Sequence, residues 1–115
     1  MKDLSYFNKI FMATSPVDFR KQAHGLAIIV EHSFDLPVNG RKHLFVFSNK
    51  RRSAIKMLYW DDTGYALWWK TLEKDKFRWP KSEEQTWTIE VKELRWLLEG
   101  IDLTKIKKHQ KLEYD

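Results

Sequence analysis

"HLFVFSNKRRSAIKMLYWDDTGYALWWKTL", residues 43–72, decides the fold. Three runs rich in aliphatic and aromatic residues, 43–48, 54–60 and 65–72, are separated by "NKRRS" and by "DDTG". Residues of the first kind suit a pleated, half-buried backbone, and Asp-Gly clusters make turns. The stretch therefore reads as three consecutive antiparallel strands. If the 61–64 turn closes symmetrically, Trp60 sits opposite Tyr65, Leu58 opposite Leu67 and Lys56 opposite Trp69 on one face. Ile55, Met57, Tyr59, Ala66, Trp68 and Lys70 then share the other. Both faces are mostly apolar, so the hairpin is expected to be central or covered on both sides.

Outward from this hairpin, "KIFMA" (9–13) is a short apolar run ending at Thr14-Ser15-Pro16 and reads as a first strand. Phe19, Ala23, Leu26, Ala27 and Val30 recur at helical spacing, which predicts an amphipathic helix from about Asp18 to His32, with Phe19, Leu26, Ala27, Val30 and Phe34 toward the core. "DLPVNGRK" (35–42) reads as a loop. Downstream, "TWTI" (86–89) reads as a short strand. "VKELRWLLEG" places Val91, Leu94, Leu97 and Leu98 on one stripe and stops at Gly100, so a second helix is expected there. Residues 104–115 read as a basic tail. The expected architecture is α+β: one domain over 1–115, an antiparallel sheet of four to five strands with two helices packed against it.

Composition narrows the function. A length of 115 residues with 43% hydrophobic content is enough for one core. No apolar run approaches the ~18 residues of a membrane span, and the amino terminus lacks a secretory apolar stretch, so a cytoplasmic protein without membrane contact is expected. Zero cysteines exclude disulfides and thiolate metal sites. His24 and His32 are too far apart to ligate one ion, and no metal or other cofactor is expected. The formal charge of +5 is unevenly spread: from Arg41 to Trp60 there are six cations and no Asp or Glu. A solvated face normally mixes signs.

Several pieces in combination, P-V-D-F-R-K (16–21), F-x-N-K-R-R (47–52), L-Y-W-D (58–61), G-Y-x-L-W-x-K (64–70) and L-L-E-G-I-D (97–102), carry a resemblance. The chain resembles the accessory protein encoded by the second open reading frame of insertion-sequence-sixty-six-type transposons, called TnpB there and distinct from the RNA-guided nuclease of that name. The resemblance covers roughly Phe11 to Leu103. It departs at Gln22-Ala23-His24-Gly25, where a Gly is expected sooner after the Arg-Lys pair. It implies a role in transposition beside a separate transposase, and it implies no defined activity for this chain, so chemistry has to come from the residues.

A hairpin loop cannot bury three adjacent cations without partners. Asn49, Lys50, Arg51 and Arg52 are therefore the primary candidates for contacting phosphate, since guanidinium groups match its geometry. The plainer alternative is a solvated loop that keeps a sheet edge soluble. Lys56 and Lys70 stand on opposite faces of the hairpin and either snorkel, pair with acids or support an anion. Arg20 and Lys21 extend the basic set, unless Asp18 caps the helix or pairs with Arg20. Most of the six tryptophans belong in the core. Trp60 and Trp79 are the ones expected at the surface, for base stacking or a partner contact. Asp18, Asp61, Asp62 and Glu73 are the carboxylates a metal-dependent nuclease would need, but Asp61 and Asp62 are accounted for by a turn. The expected function is non-catalytic: binding DNA, such as transposon ends, through the basic loop. The rival is a module that binds the transposase or another transposon-encoded protein, with exposed tryptophans at the contact.

Overall fold

The computed structural model describes residues 2–34 and 42–101. After a single 3-10 turn at Leu4–Tyr6, the elements are β1 (Lys9–Ala13), α1 (Ala23–Ile29) continuing into a wider π turn (Val30–Phe34), β2 (His43–Ser48), β3 (Ala54–Trp60), β4 (Tyr65–Thr71), β5 (Thr86–Ile89) and α2 (Val91–Leu98). The five strands form one sheet in the order β4-β3-β2-β1-β5. The 35–42 loop, apart from Lys42, and the 104–115 tail lie outside the described residues.

The β3–β4 hairpin has the register expected of a symmetric turn, with Trp60 opposite Tyr65, Leu58 opposite Leu67 and Lys56 opposite Trp69. β3 is central and buried through Tyr59, whereas β4 is an edge strand and only half-buried. The sheet is mostly antiparallel, with one correction: β1 and β2 run parallel. Their connection passes through α1, and parallel neighbours need such a crossover.

The faces of the sheet bury separate cores, as the two-residue alternation of a strand requires. On one side Ile10, Met12, Leu44, Val46, Ile55 and Met57 pack under α2 residues Leu94 and Leu97 and under Phe77 and Trp79. On the other, Phe11, Phe45, Phe47 and Leu58 pack under Leu26, Ala27 and Val30 of the first helix. Each fully buried aliphatic or aromatic side chain contributes about 1.5–3 kcal/mol, so both layers are needed to hold the sheet. α2 opens with the Glu93 carboxylate accepting from the Glu90 N–H at 2.9 Å, and ends at Gly100, whose φ of +93° suits glycine.

The first helix starts later than its periodicity suggests, at Ala23 rather than Asp18. Residues 17–21 are held otherwise. Val17 donates its N–H to the Ser48 carbonyl at 2.9 Å, Lys21 N–H bonds Asp18 O at 3.0 Å, and the Asp18 carboxylate takes Arg20 N–H at 2.9 Å. An Asp that bonds the backbone two residues on makes a turn that competes with helix.

Candidate nucleic-acid interface

Parallel β1 and β2 end side by side, so the segment after β1 and the loop after β2 leave from one end of the sheet. Ser48 and Val17 join them, and Leu72, just past β4, donates its N–H to Ser53 O at 2.8 Å. The 72–85 segment continues across this same end: Phe77 N–H bonds Arg52 O at 2.8 Å, and Thr14 N–H bonds Gln85 O at 3.0 Å. Three stretches distant in sequence therefore form one surface.

The 49–53 loop is built around Asn49. Its Oδ1 accepts from the N–H groups of Ser53 and Ala54 at 2.9 and 3.1 Å, and its Nδ2 donates to Ser53 Oγ at 3.0 Å. Asn49 thus shapes the loop rather than facing outward. Arg52 has a φ of +60° and turns inward. Its guanidinium donates to Ser48 Oγ at 3.1 Å and to the Thr14 carbonyl at 2.9 Å, and lies 5.4 Å from the Trp79 ring centroid. Burial pushes its pKa below the ordinary arginine value. With both neighbours committed to the scaffold, Lys50 and Arg51 stand exposed at the tip. Among the described residues no carboxylate forms an ion pair with either one.

Lys56 is enclosed, with no exposed surface, and is therefore not a surface cation. Its ammonium donates to the carbonyls of Phe19 and Lys21 at 2.9 and 2.8 Å and sits 4.9 and 4.4 Å from the ring centroids of Phe19 and Trp69. Burial lowers its pKa, an effect partly offset by the Asp18 charge. Its work is to fix the 19–21 turn against β3. On that turn Arg20 is exposed but paired with Asp18, Nη2 to Oδ2 at 2.6 Å. The bond holds the Asp18 carboxyl down to about 2. Lys21 is exposed beside it. Lys70 is half-buried on the opposite face of the sheet, away from this turn.

The loop end thus brings together Lys50, Arg51, Arg20 and Lys21, and leaves out Lys56 and Lys70. It also gathers Lys74, Lys76, Arg78 and Lys81, exposed residues of the 72–85 segment that sequence reasoning passed over. Their signal is the charge-dense run "EKDKFRWPK", although Glu73 and Asp75 alternate with the lysines.

The tryptophans differ from expectation. Trp79 is buried, 9% exposed, and its indole N–H donates to the Ala13 carbonyl at 2.9 Å. It is a clamp under Arg52, not a stacking surface. Trp60 is half-buried, edge-on to Tyr65 at 5.1 Å. Among the described residues Trp69 is the large exposed aromatic, at 54%. The four carboxylates considered for metal chemistry do not converge: Asp61 and Asp62 are at the far end of the sheet from Asp18 and Glu73.

A family model described as IS66 Orf2 like protein matches residues 8–108. Among curated proteins, the uncharacterized protein y4jC of Sinorhizobium fredii (strain NBRC 101917 / NGR234) is 35% identical over 101 residues, covering 87% of this chain and 85% of its own length. A second uncharacterized protein of that organism, y4hO, is 34% identical over 95 residues, covering 82% of this chain and 81% of its own. No solved structure matches the chain.

Proposed function

The chain belongs to the IS66 Orf2-like family, with a transposition-associated accessory role, and from that membership we propose that it acts by binding DNA through the loop end of its sheet. Lys50 and Arg51 are the primary phosphate contacts, and Lys21 and Arg20 flank them. Asn49 and Arg52 hold the loop in shape, and Lys56 holds the turn that carries Arg20 and Lys21.

The observation that carries this reading is the state of Lys50 and Arg51: exposed, without an ion pair among the described residues, and mounted on a loop whose base is hydrogen-bonded on three sides. A cation held on a rigid mount loses less conformational entropy on meeting a phosphate than one on a free loop. The contacts are to the backbone of the nucleic acid, which positions a protein without reading sequence.

Salt titration of binding to a duplex tests this. Each neutralised phosphate contributes a slope of roughly −0.9 in log affinity against log salt, so two to four contacts give roughly −2 to −4. Lys50→Ala with Arg51→Ala is expected to weaken binding and flatten that slope. Binding that ignores salt, or that survives this double change at full strength, removes the proposal.

A further inference from the structure

We propose that β4 is the edge through which two copies of this chain pair, antiparallel and centred on Trp68. The sheet has two edges: β5 has four residues, whereas β4 has seven in unbroken register with β3. Sheet edges are ordinarily kept short, bulged, or guarded by Pro and charge. β4, "YALWWKT", has no Pro and a single charge.

The direction of its free groups follows from its ends. Asp61 N–H donates to Gly64 O at 2.7 Å, and Leu72 N–H to Ser53 O at 2.8 Å, so both flanking pairs are of the hydrogen-bonded kind. Bonded and non-bonded pairs alternate along an antiparallel ladder. The bonded pairs inside the ladder are then Tyr59 with Ala66, Met57 with Trp68, and Ile55 with Lys70. The N–H and C=O groups of Tyr65, Leu67, Trp69 and Thr71 consequently point away from β3. Among the described residues no strand lies on that side.

The strand is complementary to itself, and this identifies the occupant as a second copy. A two-fold axis at Trp68 sets Leu67 opposite Trp69 and Tyr65 opposite Thr71 as bonded pairs. That register uses every outward N–H and C=O of both strands. It also sets Trp68 against Trp68 and Ala66 against Lys70, so no lysine opposes a lysine, and aromatic and aliphatic residues meet across the join. Carried past the strand ends, the same register brings the exposed Asp62 turn of one copy to the exposed Lys74 of the other, joining opposite charges. Such an isologous contact closes on itself and leaves only the short β5 edge of each copy at the outside of the joined sheet. The pairing covers Trp69, and Ile28, 57% exposed on the helix that packs against β4, continues the apolar surface there. None of this depends on whether DNA is bound.

Equilibrium sedimentation of the full chain is expected to give twice the 14.0 kDa chain mass. Leu67→Pro removes an outward N–H that the β3 ladder does not use, and is expected to return the chain to a single copy. The register has a second test that does not rely on how this variant folds. Ala66 and Lys70 face each other as a non-bonded pair, with Cα atoms about 4.5 Å apart, within disulfide reach of about 4.4–6.8 Å. The chain has no cysteine. An Ala66→Cys, Lys70→Cys double variant is expected to oxidise to a covalent dimer, and either single variant is not. A chain that sediments at 14.0 kDa up to its solubility limit overturns the proposal, as does a dimer in which the double variant fails to cross-link.

Discussion

The two ends of the sheet carry similar residue types and treat them differently. At the far end, where the 61–64 turn and the first turn of the chain lie, Lys2, Lys42 and Lys92 are tied off, while Lys9 stands exposed at the start of β1. Lys2 pairs with Asp61 at 3.4 Å, Lys2 and Lys42 sit 4.8 and 5.0 Å from the Tyr6 ring centroid, and Lys92 reaches Glu90 at 3.7 Å. At the loop end the arrangement is layered. Arg52 and Lys56 are turned inward against carbonyl oxygens, and Lys50, Arg51 and Lys21 are left outside. The difference teaches that a count of basic residues says little about a binding surface. What matters is which cations the backbone itself consumes. Cations turned inward that donate to backbone carbonyls become part of the scaffold and hold the outer ones in place.

The comparison breaks most visibly if Lys56 is removed. Lys56→Ala strands the carbonyls of Phe19 and Lys21 and opens space between two aromatic rings. Each hydrogen bond to a charged group is worth about 1.5–3 kcal/mol, so a loss of roughly 3 kcal/mol or more is expected, read as a lower urea midpoint. Arg52→Ala removes two charge-assisted bonds and the cover over Trp79; because Arg52 is only half-buried, solvent replaces part of these, and the expected cost is about 1–3 kcal/mol in thermal or urea unfolding. Arg52→Lys should recover only part of it, because one ammonium cannot reproduce the fork that spans Ser48 and Thr14. By contrast Lys50→Ala and Arg51→Ala should leave unfolding within about 0.5 kcal/mol of the parent, as surface changes do, and should act on DNA affinity alone. An unfolding shift as large as that of Arg52→Ala would show that the outer pair is structural too.

The smallest effect concerns Asp18. Its folded carboxyl titrates at about 2, held down by hydrogen bonds from Arg20, against an ordinary value of 3.8. A folded value below the unfolded one means the contribution is complete above pH 3.8 and is lost as pH falls through about 2. Carbon-13 NMR titration of the Asp18 carboxyl reads this directly. Because the pair is exposed and screened by solvent, Asp18→Asn is expected to leave the neutral-pH urea midpoint close to that of the parent.

Much of the fold was legible because the 43–72 stretch obeys local rules. Alternating side chains around an Asp-Gly turn leave one good register, and the β3–β4 pairs follow it residue for residue. The parallel β1–β2 pair was also within reach, since a strand, a helix and a strand in succession is the order a crossover requires. The hairpin pattern drew the whole sheet toward the antiparallel reading. Lys56 gave a warning in its neighbours, Ile55, Met57 and Leu58, which leave no polar face for a snorkelling ammonium. Its partners lie 35 and 37 residues away on backbone carbonyls, and backbone carbonyls have no sequence signature. Arg52 was illegible for another reason: its inward turn depends on a positive φ that most residues avoid. Trp79 and Trp69 exchanged their expected places because long-range pairing, not local sequence, decides which strand lies at an edge and which segment folds over the core.

The central claim is that one end of the sheet, not net charge, meets DNA. Its most direct test compares two charge-matched double variants by the salt dependence of duplex binding: Lys50→Ala with Arg51→Ala at the loop end, and Lys9→Ala with Lys92→Ala at the far end. The account predicts that the first pair flattens the slope by roughly 0.9 for each contact removed, and that the second leaves slope and affinity near the parent. Equal losses from both pairs would contradict it.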